Sequence, residues 1–201
     1  LEIRGAGSVF GYKQSGHVSS VGFELFCDIL NLEIKKGKKE APEGFFSPKI
    51  VCFMDSEISQ KYIHDTSFRV GYYYRISRCK STRELLSIER ELVRVFGKLP
   101  EKTLTLLRLS RVRILYTNTP IVKIEILDRR VSLKIKNNLS FFDYDRAFIK
   151  MGAYKHPSVL KHWFEKANSE TVQLVFLLKE NKKNFAFLFA FVGLFNNLTP
   201  S

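Results

Sequence analysis

The stretch STRELLSIERELVRVFGKLP, residues 81–100, followed by IVKIEILDRRVSLKI, residues 121–135, decides the fold class. Ser81-Thr82-Arg83-Glu84 is a capping box: the Ser81 hydroxyl can accept the backbone N–H three residues on, and Glu84 can reach back. Apolar residues then recur at Leu85, Ile88, Leu92 and Val95/Phe96, the three-and-four spacing of one helix face, and Gly97 closes the element. Pro100 at a first helical position opens another helix, with Leu104, Leu107 and further apolar residues to Leu115. The second stretch reads as two short strands, 121–127 and 131–135, joined as a hairpin by Asp128-Arg129-Arg130. Helices and strands without strict alternation predict an α+β fold rather than a doubly wound sheet.

Outward from this centre the pattern stays mixed. Residues 50–54 read as a short strand, Tyr62-Ile63-His64-Asp65 as the approach to a helix over about 66–78, and 172–178 as a strand. Val159, Leu160, Trp163, Phe164 and Ala167 have helical spacing, with a helix start at Pro157-Ser158. The two histidines that bracket it, His156 and His162, read as surface residues. An eleven-residue apolar run, 185–195, lies within a final element at 184–197. A membrane span needs about 20 such residues, so a buried helix or strand pair is the expectation and no membrane partner is implied. Toward the N-terminus, Val18, Val21, Leu25 and Ile29 form an amphipathic helix of about four turns after a glycine-dense loop. The stretch KKGKKEAPEGFFSP, residues 35–48, reads as a linker. The expected division is therefore 1–34, a glycine-rich loop plus amphipathic helix; 35–48, a linker; and 49–201, a mixed helix and strand domain.

The 201 residues carry 33 Lys+Arg against 20 Asp+Glu, a formal charge of +13, which calls for a polyanionic neighbour. Collagen-like, disulfide-framework and mostly disordered classes are excluded by composition. Cys27, Cys52 and Cys79 are widely spaced and read as free thiols. The four histidines form no metal-ligand spacing, so no metal site is expected. No phosphate-cradling G-x-x-x-x-G-K-[ST] loop is present, and no catalytic residue is assigned in this chain. The start Leu1-Glu2-Ile3-Arg4 reads as a segment cut from something longer.

Arg4-Gly5-x-Gly7…Gly11-x-x-Gln14-Ser15-Gly16 places one guanidinium and one carboxamide among glycines that permit close backbone approach, a phosphate-contacting or coupling loop as readily as a structural one. With the following His17, Val21-Gly22-Phe23 and Leu25-Phe26 it resembles the motif after the second motor domain of bacterial transcription-repair coupling factors, and more loosely that of RecG-type helicases. Tyr62-Ile63-x-Asp65-x-x-x-Arg69-x-x-x-Tyr73-x-Arg75-Ile76, then Glu91-Leu92-Val93…Phe96-Gly97-Lys98-Leu99-Pro100, resemble the C-terminal domain of the same family. Arg108 and Leu109-Ser110-Arg111-Val112-Arg113 resemble its next helix.

The resemblance implies a C-terminal piece of an ATP-driven, cytoplasmic translocase on double-stranded DNA that displaces stalled RNA polymerase and recruits the excision-repair protein UvrA. ATP and magnesium would serve the parent protein, with no cofactor in this chain. Arg4 and Gln14 match the residues that couple hydrolysis to movement. The C-terminal domain would pack on a UvrB-like N-terminal module and hide its UvrA-binding surface. Glu91 matches the first acid of the family's E-L-x-D-R-F-G contact stretch, whereas Arg94 and Val95 stand at its Asp and Arg. The reversal at Arg94 puts that regulatory contact in doubt. The basic charge has three competing sources. DNA contacts from Arg4, Lys13 and the linker lysines 35, 36, 38 and 39 are one. A basic face with Arg108, Arg111 and Arg113 meeting an acidic module is the second, and composition alone is the third. The alternative to the family reading is a stand-alone basic nucleic-acid-binding module. The cluster Tyr72-Tyr73-Tyr74, inside a predicted helix, reads as core packing rather than base stacking.

Overall fold

The computed structural model describes residues 47–136, 149–151, 153–166, 171–180 and 184–194. The glycine-rich opening with Arg4 and Gln14, the helix expected from Val18, Cys27 and nearly all of the 35–48 linker lie outside those residues. The described elements run β1 (Lys49–Cys52), α1 (Thr66–Arg78), α2 (Thr82–Phe96), α3 (Glu101–Tyr116), β2 (Ile121–Leu127), β3 (Arg130–Lys136), β4 (Val159–Lys166), β5 (Thr171–Leu178) and α4 (Asn184–Phe191). A 3-10 turn, Val192–Leu194, follows. This is the α+β class that the sequence predicts.

Local chemistry explains each helix start. Asp65 caps α1, its carboxylate accepting the N–H of Phe68 at 2.9 Å. Ser81 caps α2, its hydroxyl accepting the N–H of Glu84 at 3.2 Å, while Glu84 reaches back to the N–H of Lys80 at 3.0 Å. At the other end of α2, Gly97 has φ +81 and its N–H donates to Val93 O at 2.9 Å. Pro100 flanks α3 as the cap residue, one position earlier than the first helical residue expected of it.

The five strands form one sheet in the order β1-β2-β3-β5-β4. β1 runs parallel to β2, with Ile50 opposite Ile124; the other neighbours are antiparallel. The β2–β3 hairpin turns on Asp128 and Arg129, with Asp128 at φ +47 and Arg130 already paired with Leu127, so the loop is one residue shorter than the sequence suggests.

Two apolar clusters fill the interior. One lies between a single face of the sheet and the helices α3 and α4, with Ile124, Leu133, Leu174, Phe176, Phe187 and Phe191 all fully buried. The second joins α1, α2 and the first half of α3, around Tyr73, Ile76, Leu92 and Leu106. Helix α3 serves both: Leu106 and Leu107 face the helical cluster, and Leu109, Val112 and Tyr116 face the sheet. Burying each such side chain contributes about 1.5–3 kcal/mol, and α3 does so on nearly every side.

Several expectations are corrected. The segment expected as a helix near 159–167 is strand β4, antiparallel to β5, with Trp163 opposite Val175 and Phe164 opposite Leu174. Its apolar residues fall on both faces of the sheet, Trp163 on one and Phe164 on the other, and the register shifts between Val159 and Lys161, so together they mimic helical spacing. His156 and His162 are half-buried, packed against Phe187 and Phe176 at ring separations of 5.8 and 5.7 Å, rather than simply surface residues. The final apolar element is the short helix α4 and its 3-10 turn, and among the described residues no helix is long and apolar enough to cross a membrane. Strand β1 ends at Cys52, two residues before the expected end. Tyr72 and Tyr73 are core residues as expected, whereas Tyr74 is exposed and packs beside the Arg78 guanidinium.

Candidate interaction site

The two motifs read from the sequence in this part of the chain meet in space. The first supplies α1 and the segment before it. Ile63 is buried, and the buried Arg69 guanidinium donates to Ile63 O at 2.7 Å, His64 O at 2.9 Å and Thr66 Oγ1 at 2.9 Å. Tyr73 Oη accepts the N–H of Ile58 at 2.7 Å, and burial pushes its phenol up to about 12. These residues hold the loop 58–66 against α1. They build the fold and present nothing to a partner.

The second motif, Glu91 to Gly97, divides by direction. Leu92 is fully buried, and Phe96 packs edge-on against Tyr62 and Tyr72 at 5.8 and 5.9 Å. The Tyr62 hydroxyl lies within hydrogen-bond distance of Leu92 O (3.0 Å) and Gly97 O (3.1 Å), holding the carbonyls at the end of α2. Glu91 faces α1. Its carboxylate accepts two hydrogen bonds from Arg75, at 2.7 and 2.6 Å, and one from the Tyr72 hydroxyl at 2.9 Å. The Arg75 hydrogen bonds, with smaller help from Tyr72 and from the Arg94 charge, hold the carboxyl at about 2. Val93, Arg94 and Val95 are exposed, as is Leu86 two turns earlier. The Glu91 side chain retains 29% exposure. The rim of this face is therefore apolar and basic, and its acid is already neutralised within the domain.

The arginines of α3 do not form one basic face. Arg108 pairs with Glu101 at 2.9 Å and lies over Phe185 at 5.9 Å, while Arg111 lies over Phe189 at 5.0 Å; both pack toward α4. Arg113 is 8% exposed, and burial lowers its pKa. It donates to Cys79 O at 2.9 Å and Ile76 O at 3.4 Å, binding the last carbonyls of α1, with Nε lacking a partner. Its guanidinium acts inside the fold, which sequence reading missed because the burial arises from the packing of α3 on α1. Arg4 and Gln14 lie outside the described residues.

No group of three or more His, Cys, Asp or Glu side chains among the described residues could hold a metal ion. Cys52 and Cys79 are free thiols whose pKa values are raised by burial, so neither is activated as a nucleophile. A surface groove between α1 and α2 is lined by Tyr74, Arg75, Arg78, Cys79, Glu84, Ser87 and Ile88. Among the described residues this arrangement suits contact with another macromolecule.

The TRCF domain family matches residues 53–143. Over 130 residues the chain is 32% identical to the transcription-repair-coupling factor of Haemophilus influenzae, a match covering 62% of this chain and 11% of that protein. It is 36% identical over 118 residues to the corresponding factor of Escherichia coli, covering 56% of this chain and 10% of that one. The chain thus spans about a tenth of the length of these curated relatives. Among solved structures, the crystal structure of the C-terminal domain of a transcription-repair coupling factor superposes with a TM-score of 0.62 at 18% identity, covering 77% of this chain and 92% of that one. That likeness establishes the shared fold. Residues 53–143 match the TRCF domain family, and the chain is similar to the C-terminal part of bacterial transcription-repair coupling factors.

Proposed function

We propose that this chain works as the C-terminal regulatory part of a transcription-repair coupling factor, making contacts and performing no catalysis itself. The observation that carries the reading is the TRCF match over residues 53–143 on the fold of a coupling-factor C-terminal domain. In this reading the parent protein is a cytoplasmic, ATP- and magnesium-dependent translocase on double-stranded DNA. It displaces stalled RNA polymerase and recruits UvrA. Arg4 and Gln14 belong to the loop that couples hydrolysis to movement. The domain after residue 48 rests on a UvrB-like module of the parent and keeps the UvrA-binding surface closed.

The geometry of α2 refines how that contact is made. Glu91 is bound by Arg75 and Tyr72, so it positions α2 against α1. Exposed Leu86, Arg90, Val93, Arg94 and Val95 are groups left to meet a partner, two of them basic and three apolar. The test is removal of residues 47–201 from the intact parent. UvrA affinity should rise while DNA-stimulated ATP turnover persists, and the isolated chain should hydrolyse no ATP. Unchanged UvrA affinity, or hydrolysis by the isolated chain, would overturn the proposal.

A further inference from the structure

The sheet has two faces, and both apolar clusters leave one of them out. Cross-strand partners share a face, so the register assigns every residue. One row runs Lys49, Lys123, Lys134, Gln173, Glu165; the next Val51, Glu125, Ser132, Val175, Trp163; the third Leu127, Arg130, Leu177, Lys161. Neither core cluster contains a residue of these rows, although Val175 between Ser132 and Trp163 is fully buried. Five strands at about 4.8 Å spacing make this face roughly 19 Å wide.

Its chemistry is lopsided. Among the described residues the face bears the cations Lys49, Lys123, Arg130, Lys134, Lys136 and Lys161 against two carboxylates, Glu125 and Glu165. Both carboxylates are engaged: Glu125 by Lys123 at 2.6 Å, and Glu165 by the Trp163 indole N–H at 2.6 Å and by Arg130 at 3.4 Å. The hydrogen bond to Glu165 fixes the Trp163 ring. Lys161 Nζ lies 5.3 Å and the Arg130 guanidinium 5.8 Å from its centre. Exposed Leu127 and half-buried Leu177 add an apolar floor beside it.

A half-buried indole fixed in a net-positive field is the combination that holds an unpaired polynucleotide: the cations follow the phosphates and the ring's accessible edge stacks on a base. Duplex DNA hides its base faces from such a platform. An acidic protein would use the charge and leave the ring idle. The Ser132 hydroxyl takes the Arg130 Nε–H at 3.3 Å and both carboxylates are tied, so recognition rests on phosphates and a stacked base, which DNA and RNA strands share. We propose that the sheet face centred on Trp163 binds an unpaired polynucleotide strand through its phosphates and a stacked base. This inference stands apart from the proposed regulatory contact, which uses α2.

Trp163 is the chain's one tryptophan, so intrinsic fluorescence reads this face directly. Titration of the chain with an oligothymidylate of eight nucleotides at low salt should quench that emission. Each neutralised phosphate should steepen the log affinity against log salt slope by about 0.7. The double substitution Lys134→Glu, Lys161→Glu should weaken binding about tenfold or more and make the slope shallower. Trp163→Phe, read by anisotropy of a labelled oligonucleotide, should lose affinity several-fold while its melting curve stays near that of the original. The salt slope of the unmodified chain is a readout that needs no variant. Absence of quenching would overturn the proposal. So would binding of an equal-length duplex or a polyglutamate as tight as that of the oligothymidylate.

Discussion

Glu91 and Arg75 belong to different helices, and their fork of hydrogen bonds, with Tyr72 as a third member, is the polar seam between α1 and α2. The sign of its pH dependence follows from the direction of the shift. Glu91 titrates near 2 in the folded chain, below its usual value of 4.5, so its stabilisation is fully present above about 4.5 and is lost as pH falls toward 2. Glu91→Gln keeps the shape and removes the charge. Because Arg75 is nearly half exposed, solvent screens the pair, and the expected loss is about 1 kcal/mol at neutral pH. Denaturant midpoints should show that deficit at pH 7 and its disappearance near pH 2; a deficit that does not change with pH would mean the amide disturbs packing instead. From the sequence, Glu91 stood out for a different reason, its place in a family motif. Which way it points depends on α1, thirteen residues whose docking angle no local spacing encodes. The same holds for Arg113, whose neighbours in sequence are those of an ordinary amphipathic helix.

At the scale of elements, legibility followed local chemistry. The Ser81 cap, the Gly97 end and the hairpin depend on bonds within a few residues, and each stands where periodicity and capping place it, the hairpin loop to within one residue. Strand β4 did not follow, because its identity comes from pairing with β5 and its alternation is broken by an irregularity after Val159. Gly97 offers a clean test of the first kind. Its φ of +81 and ψ of −157 suit glycine alone, yet an added Cβ would meet no atom within 4 Å. Gly97→Ala should therefore lower stability by about 1–3 kcal/mol through backbone strain alone, with the slope of unfolding against denaturant unchanged. A neutral result would show that the end of α2 relaxes to another conformation.

For the whole molecule the decisive element is α3, which contributes to both clusters and so ties the helical layer to the sheet. Tyr116, fully buried at its end, donates its hydroxyl to Leu188 O in α4 at 2.8 Å, and burial raises the phenol well above its usual value. Tyr116→Phe leaves that carbonyl without its donor and should cost about 1–2 kcal/mol. Hydrogen exchange should quicken in α4 before it does in α1 and α2. Uniform quickening would mean the two clusters open as one unit.

The parallel pairing of β1 with β2 has a practical corollary. Lys49–Cys52 is the outermost strand on its side of the sheet, and it lies wholly upstream of residue 53, where the family match begins. A recombinant boundary drawn at that match would strip the strand away and leave the backbone of residues 123–126 as a raw, sticky margin open to intermolecular pairing. The folding unit is wider than the homology that detects it, and any excised version has to begin ahead of Lys49.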